Sequence, residues 1–317
     1  MSDVAGRVKG LRDLPEQLAA LTVRLSKLER IVEATDRMAP LLFAPPAAVR
    51  DFDAIAAHAR AAIVGATLHH DPAPHAVIDE VLPRAFYDYL LATLPPAECF
   101  RVHDAYKQDF YFDEPDVVPP FARLAWQGFE RDVVSPVLMP ALLELFAPVI
   151  LPHYVRLLGD ARAAAAAALP KAANGRVLLR RPGYRQDPHL DPKRVLFTGL
   201  IYLAKPGDSE DYGTALYRVD RPFVQPFVRT FYPETEGYTC TLAKRVEFRA
   251  NRLLVFLNAQ AAHGAELPAD APLQERYAYQ FYVKPAGLTQ VVKQLPAKER
   301  ALWAGLPGVG IDESALS

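Results

Sequence analysis

From Leu11 onward apolar side chains recur at Leu11, Leu14, Leu18, Leu21, Leu25, Leu28 and Val32, in alternating steps of three and four residues. This is the a/d repeat of a coiled-coil seam. It predicts a helix over about Leu14–Thr35, capped by Asp13, with Pro15 in its first turn and Glu16 three residues past the cap. Such a helix either joins copies of the chain as a homo-oligomer through residues 14–35 or packs on its own domain; the seam spacing favours the first.

Residues 41–75 read as a connector, with a short helical pattern at Val49–Val64 and then the polar turn HHDPAP, where His69, His70 and Asp71 sit in a proline-marked loop. AVIDEVLP predicts a short strand and RAFYDYLLATLP an amphipathic helix, with further helices near Phe121–Val134 and Ala141–Phe146. Ala161–Ala168 is nearly pure alanine, the best helix former, and Asn174 with Gly175 is expected to end that element. Prolines, 29 in the chain, crowd its middle, so elements there are expected to be short and interrupted.

The periodicity then changes. Arg176–Arg180, Val195–Leu203, Gly213–Arg218, Thr239–Phe248, Arg252–Asn258 and Tyr277–Val283 are short β-branched and aromatic runs separated by Pro, Gly, Asp and Asn. The expected class is α+β: supporting helices over 76–175, a β-sandwich or barrel over 176–285, and a C-terminal tail over 286–317.

Composition narrows the function. With 317 residues, 51% hydrophobic, the chain can bury a sizeable core. A net charge of -1 gives no bulk attraction to nucleic acid or to an anionic membrane. The most apolar stretch, Val133–Pro152, is broken by Pro136, Pro140, Pro148 and Glu144, which argues against a spanning helix. Cys99 and Cys240 form no CxxC pair and no apolar run follows the polar N-terminus, so a reducing, cytoplasmic setting is expected.

The chemistry concentrates late in the chain. In RRPGYRQDPHLDP, His189 and Asp191 are two apart, so an extended backbone sends both side chains from one face. NRLLVFLNAQAAHGAE places His263 just beyond an apolar strand, where a strand-end loop could return it to the pair. Two histidines and one carboxylate make the facial triad of non-haem iron(II) oxygenases, with three coordination positions open. Thirteen residues on, Arg276 opens RYAYQFYV. If Arg276 points inward, so do Ala278, Gln280 and Tyr282, and an inward arginine calls for an anion.

These blocks, with FTGLIYL and YGTALYR between them, resemble the iron(II)- and 2-oxoglutarate-dependent dioxygenase superfamily, most closely its prolyl-4-hydroxylase-like branch, over roughly Val77–Val283. The resemblance implies a double-stranded β-helix (jelly-roll) and iron bound by His189, Asp191 and His263. It further implies 2-oxoglutarate held at its distal carboxylate by Arg276 with help from Tyr202. O2 would be the other co-substrate and ascorbate a possible reductant; a substrate would be hydroxylated as succinate and CO2 leave. A halogenase of the same fold would lack Asp191. Two departures stand out: Tyr212 replaces a glycine before GTALYR, and Ala278 replaces a serine two residues after the arginine. Arg180, Tyr184, Arg194 and Arg218 flank the ligand segments as candidates for binding substrate, and 220–237 is long enough to act as a lid. A metal- or ligand-binding barrel without turnover is the alternative.

Overall fold

The structure, a computed structural model, describes residues 14–112, 120–158, 170–192, 195–223, 229–258 and 261–285. Helix α1 (Leu14–Phe43) runs past its expected end at Thr35 and through Pro40. The proposed cap at Asp13 lies outside the described residues. Helix α2 (Phe52–Val64) starts where the Asp51 carboxylate accepts the Ala54 N–H at 3.0 Å, and turns Ile55, Ala59 and Ile63 inward at four-residue spacing. The supposed connector therefore supplies part of the core. Helix α3 (Arg84–Ala92) buries Phe86, Tyr87 and Leu90.

The proline-rich middle is a correction. Helix α4 (Pro120–Phe129) passes without a break through a π-helical stretch (Glu130–Leu138) into helix α5 (Met139–Leu158). A proline removes an N–H and crowds the carbonyl one turn earlier; the wider π turns around Pro136 absorb that offset. Phe121–Ile150 is by length and composition long and apolar enough to cross a membrane. In the fold, its Trp126, Phe129, Leu138, Leu142 and Phe146 are buried in one core with the large sheet.

Eleven strands make two antiparallel sheets among the described residues. They are β1 (His75–Ile78), β2 (Arg101–Val102), β3 (Lys107–Phe110), β4 (Pro170–Arg180), β5 (Tyr184–His189), β6 (Phe197–Tyr202), β7 (Ala215–Val219), β8 (Cys240–Arg245), β9 (Leu253–Leu257), β10 (Ala262–Leu267) and β11 (Arg276–Pro285). The large sheet has the order β1-β9-β6-β11-β4-β3-β2 and the small one β5-β10-β7-β8. From β4 onward the chain passes back and forth between the sheets, which is double-stranded β-helix topology. Two expectations fail here. Ala161–Ala168 lies outside the described residues, and Asn174–Gly175 falls inside β4 beside a register shift against β11 instead of ending a helix.

Strand alternation sets the two layers. Tyr277, Tyr279 and Phe281 of β11 face the helices, where Phe129 meets the Tyr279 ring at 5.0 Å, and Gly199 leaves room for Phe281, whose ring would lie 2.3 Å from an added Cβ. Ala278 faces the other way, among Leu178, Leu200, Leu254 and the small sheet's Leu216 and Leu267. The space between the sheets opens at one end into the site.

Candidate metal centre and anion pocket

His189 closes β5 and His263 lies in β10, and the two are direct cross-strand partners with ring centroids 4.2 Å apart. This corrects the expected strand-end loop for His263. Asp191 follows β5, held extended by reciprocal backbone hydrogen bonds between Leu190 and Phe231 at 2.8 and 2.9 Å. The Asp191 carboxylate stands 3.8 Å from the His263 Nε2, and one ligand atom from each of the three residues lies within 4.8 Å of the others. Among the described residues they are the group of His, Cys, Asp or Glu side chains able to hold a metal ion.

The surroundings fix how each ligand presents itself. The His189 Nδ1 lies 2.9 Å from the Asp187 carbonyl and the His263 Nδ1 3.1 Å from the Ala261 carbonyl. A carbonyl can only accept, so Nδ1 carries the proton and Nε2 keeps its lone pair for a metal. Burial, reinforced by His189, pushes the His263 imidazole down to about 4. Burial alone would push the Asp191 carboxyl up, but His263, His189, the Thr198 hydroxyl and Arg176 hold it below the usual carboxylate range. Thr198 donates to its Oδ2 at 2.7 Å, Tyr282 to its Oδ1 at 3.3 Å, and the Asp191 N–H donates to the Asn258 side-chain oxygen at 3.0 Å. The donor set, its charge and its free Nε2 lone pairs fit a divalent transition metal.

Arg276 opens β11 with 4% of its surface exposed. Its Nε donates to the Tyr212 carbonyl at 2.6 Å and its Nη2 to the Thr214 hydroxyl at 3.5 Å, and the guanidinium lies 5.4 Å from the Tyr202 ring and 5.1 Å from the Phe248 ring. Burial pulls its pKa below the ordinary value. No carboxylate pairs with it among the described residues. A cavity of about 180 Å³ joins Arg276 to His189, Asp191 and His263, with Leu178, Leu200 and Gln280 in its wall.

The flanking candidates divide. Tyr184 lines the cavity. Arg180 lines it too, but is committed to Asp109 Oδ1 at 2.8 Å and to the Gln108 carbonyl at 2.7 Å. Tyr202 is fully buried beneath Arg276, and its hydroxyl accepts the Thr214 N–H at 3.0 Å. Arg218 is a correction: it is exposed and pairs with Asp71, away from the cavity. Arg194 lies outside the described residues. Of the supposed lid, Tyr232 stacks on His189 at 5.7 Å and takes a hydrogen bond from Gln186 at 2.8 Å, while 224–228 lies outside the described residues.

Both departures acquire a place. The Tyr212 backbone is the acceptor for Arg276, and the adjoining Gly213 is required because an added Cβ would fall 1.5 Å from the Val246 carbonyl oxygen. Thr214 brings a hydroxyl to Arg276, the kind of group Ala278 lacks. Sequence reasoning missed Thr198, Asn258, Lys107 and Arg176. For Thr198 and Asn258 a signal existed, since both sit in the FTGLIYL and LLVFLN runs as polar residues among apolar ones. Lys107 carried none, because β3 is too short to show a period.

No protein-family model and no curated protein matches this chain. Solved structures do resemble it. A prolyl hydroxylase from Trichoplax adhaerens, in complex with a hypoxia inducible factor peptide fragment, is 16% identical; the match covers 80% of this chain and 93% of that one, with a TM-score of 0.37. A prolyl-4-hydroxylase from Pseudomonas putida is 15% identical over 75% of this chain and 98% of that one, with a TM-score of 0.37. HygX from Streptomyces hygroscopicus, with nickel, 2-oxoglutarate and hygromycin B bound, is 17% identical over 66% and 82%, with a TM-score of 0.39.

Proposed function

We propose that this chain is an iron(II)- and 2-oxoglutarate-dependent dioxygenase that hydroxylates its substrate. The observation that carries the reading is the pairing of a buried His-Asp-His cluster with a buried guanidinium that has no carboxylate partner among the described residues, in one cavity. Either feature alone has other uses; together they provide a metal with open positions and a clamp for the far end of a chelating dicarboxylate.

Iron(II), with 2-oxoglutarate and O2, would supply the oxidising power, the co-substrate leaving as succinate and CO2. The residues do the rest. His189 and His263 offer Nε2 because two backbone carbonyls hold the opposite nitrogen. Asp191 stays ionised, its carboxylate is kept from rotating by Thr198 and Tyr282, and its backbone is held by Asn258. Arg276 offers its remaining N–H donors to the distal carboxylate, on a platform of Tyr202 and Phe248. Leu178 and Leu200 form the apolar part of a mostly polar wall, and that part helps to exclude water.

The test is succinate release by the iron-loaded protein supplied with 2-oxoglutarate, first without substrate and then with pooled candidates. Iron-dependent succinate that disappears in His263→Ala is the expected result. Binding of metal and 2-oxoglutarate without succinate under any pool would instead make this a binding protein.

A further inference from the structure

Resting on that reading, we infer that the primary substrate carries an anionic group, a carboxylate or a phosphate, bound by Arg176 and Lys107. Charge balance is the first argument. Among the described residues Lys107, Arg176, Arg180 and Arg276 all line the cavity, against the one acid Asp191. A metal dication and Arg276 are together matched by Asp191 and the two carboxylates of 2-oxoglutarate. Arg180 is matched by Asp109, just behind the wall. Among the described residues two positive charges are left over, and a partly desolvated site with excess cations selects an anion.

The second argument is unspent hydrogen bonding. Among the described residues Arg176 has no hydrogen-bond acceptor at Nε, whose ion pair to Asp109 spans 3.7 Å, and its bonds go to two tyrosine hydroxyls, a long 3.4 Å contact from Nη1 to Tyr111 and one to Tyr282. Gln280, its direct partner across β11 and β4, has a buried side-chain oxygen with no donor. Lys107 lies in register with Arg180, which is in register with Arg276, so one rung across three strands carries three cations. Lys107 has no ion-pair partner among the described residues. Burial, and then the nearby Arg180, pull its pKa down, as expected of a cation waiting for a counter-charge.

Position separates Arg176 from the co-substrate's clamp, whereas Lys107, near enough to Arg176 to feel its charge, stands on the rung of Arg276. Arg176 lies on the metal side, 5.8 Å from the ring of Tyr282, whose hydroxyl donates to Asp191. Arg276 lies four residues back along β11 from Gln280, the partner of Arg176.

The test is calorimetric titration of the full-length protein, loaded with nickel(II) and saturating 2-oxoglutarate, with inorganic phosphate, acetate and neutral acetamide. Phosphate or acetate should bind and acetamide should not; whichever anion binds more tightly identifies the source. Arg176→Gln should weaken that anion about tenfold to a hundredfold, as loss of a charged hydrogen-bond partner does, while 2-oxoglutarate affinity stays within about twofold. Arg176→Lys should recover part of the loss, and Lys107→Gln, at a half-buried site, gives a second reading if Arg176→Gln does not fold. Absence of anion binding to the wild type overturns the inference. So does anion affinity unchanged in these variants, or a tenfold loss of 2-oxoglutarate affinity in Arg176→Gln. Failure of the wild type to bind nickel and 2-oxoglutarate would overturn the dioxygenase reading itself.

A second inference rests on α1. Its two apolar faces have separate fates: Ile31, Ala34 and Met38 pack on the core, whereas Leu14, Leu18, Leu21, Leu25, Leu28 and Val32 are left exposed. We infer that a second copy of this chain covers the exposed seam as a parallel two-stranded coiled coil. In that register Arg24 falls at a g position and Glu29 at the e position five residues on, so each can meet the other across the dimer; both are exposed, without a partner among the described residues. The stripe is two positions wide per heptad, narrower than a membrane-lying helix needs. Sedimentation of the full chain should show a dimer, Leu21→Glu/Leu25→Glu a monomer, Arg24→Glu a weakened dimer, and Arg24→Glu/Glu29→Arg a restored one. A monomeric wild type, or an oligomer unaffected by the leucine changes, overturns it.

Discussion

Replacing Arg276 by methionine should remove 2-oxoglutarate binding without weakening the metal-free fold. In the wild type the guanidinium is 4% exposed and forms hydrogen bonds to the Tyr212 carbonyl and the Thr214 hydroxyl. Losing those two bonds costs about 1–3 kcal/mol. Against this, the variant no longer buries an unpaired charge, and a well-packed apolar replacement of a buried ionic group gains about 1–4 kcal/mol. The two nearly cancel, so the metal-free protein should melt within a few degrees of wild type. The ligand response should not survive. At a hundred times its Kd a ligand stabilises by about 2.7 kcal/mol. In a protein of 317 residues that is worth roughly 4 °C in Tm. Loss of a buried charged partner lowers affinity by about 2–5 kcal/mol, or about 30-fold to several thousand-fold. Thermal melts of both proteins, each with nickel(II) and with or without 2-oxoglutarate, read every quantity. A variant that melts far below wild type without ligand, yet keeps the ligand-induced rise, would show Arg276 to be a structural cation and refute its role as an anion clamp.

His189→Ala and His263→Ala should each abolish metal-dependent succinate formation while leaving the circular dichroism spectrum in place; wild-type turnover in either would remove the triad. Thr198→Val deletes the 2.7 Å hydrogen bond to Asp191 and should weaken metal binding about tenfold to a hundredfold, checked by metal titration, with unchanged affinity counting against it. His263, held to about 4 when folded and near 6.5 when unfolded, binds its proton first in the unfolded chain. The metal-free protein should therefore lose on the order of 3 kcal/mol from this group as pH falls from about 6.5 to about 4, and His263→Gln should flatten that fall in urea titrations; identical slopes would contradict it.

The part of the site readable from sequence is the part whose signal is local. The two-residue spacing of His189 and Asp191, and the period that turns Arg276, Ala278, Gln280 and Tyr282 to one face, are properties of a single strand. Thr198 and Asn258 escaped notice despite a local signal, whereas the pocket cations depend on neighbours distant in sequence. Arg176 and Lys107 become pocket residues only because β3, β4 and β11 lie side by side. Arg218 misled because its strand neighbours suggested the pocket, whereas its own side chain points outward to Asp71. The prolines were read as interruptions, yet π-helical turns carry the helix past Pro136 and it continues as an α-helix through Pro140 and Pro148. Asn174–Gly175 looked like a helix stop because alanines precede it; in the fold the glycine packs where an added Cβ would lie 2.4 Å from Glu130.

The direct pairing of His189 with His263 across β5 and β10 dictates where this chain can change length. Side chains on a strand alternate in direction, so a single residue inserted within β5 or β10 would swing one histidine outward and replace it with a neighbour. The connection between β7 and β8 carries such a constraint only near Phe231 and Tyr232, which meet Leu190 and His189. Each doubling of a loop costs only about 0.6 kcal/mol, so the connection ahead of Phe231 can lengthen, shorten or acquire new sequence while the rung stays intact. Divergence in substrate preference can thus proceed by insertion in that connection, whereas the ligand strands must change by substitution alone.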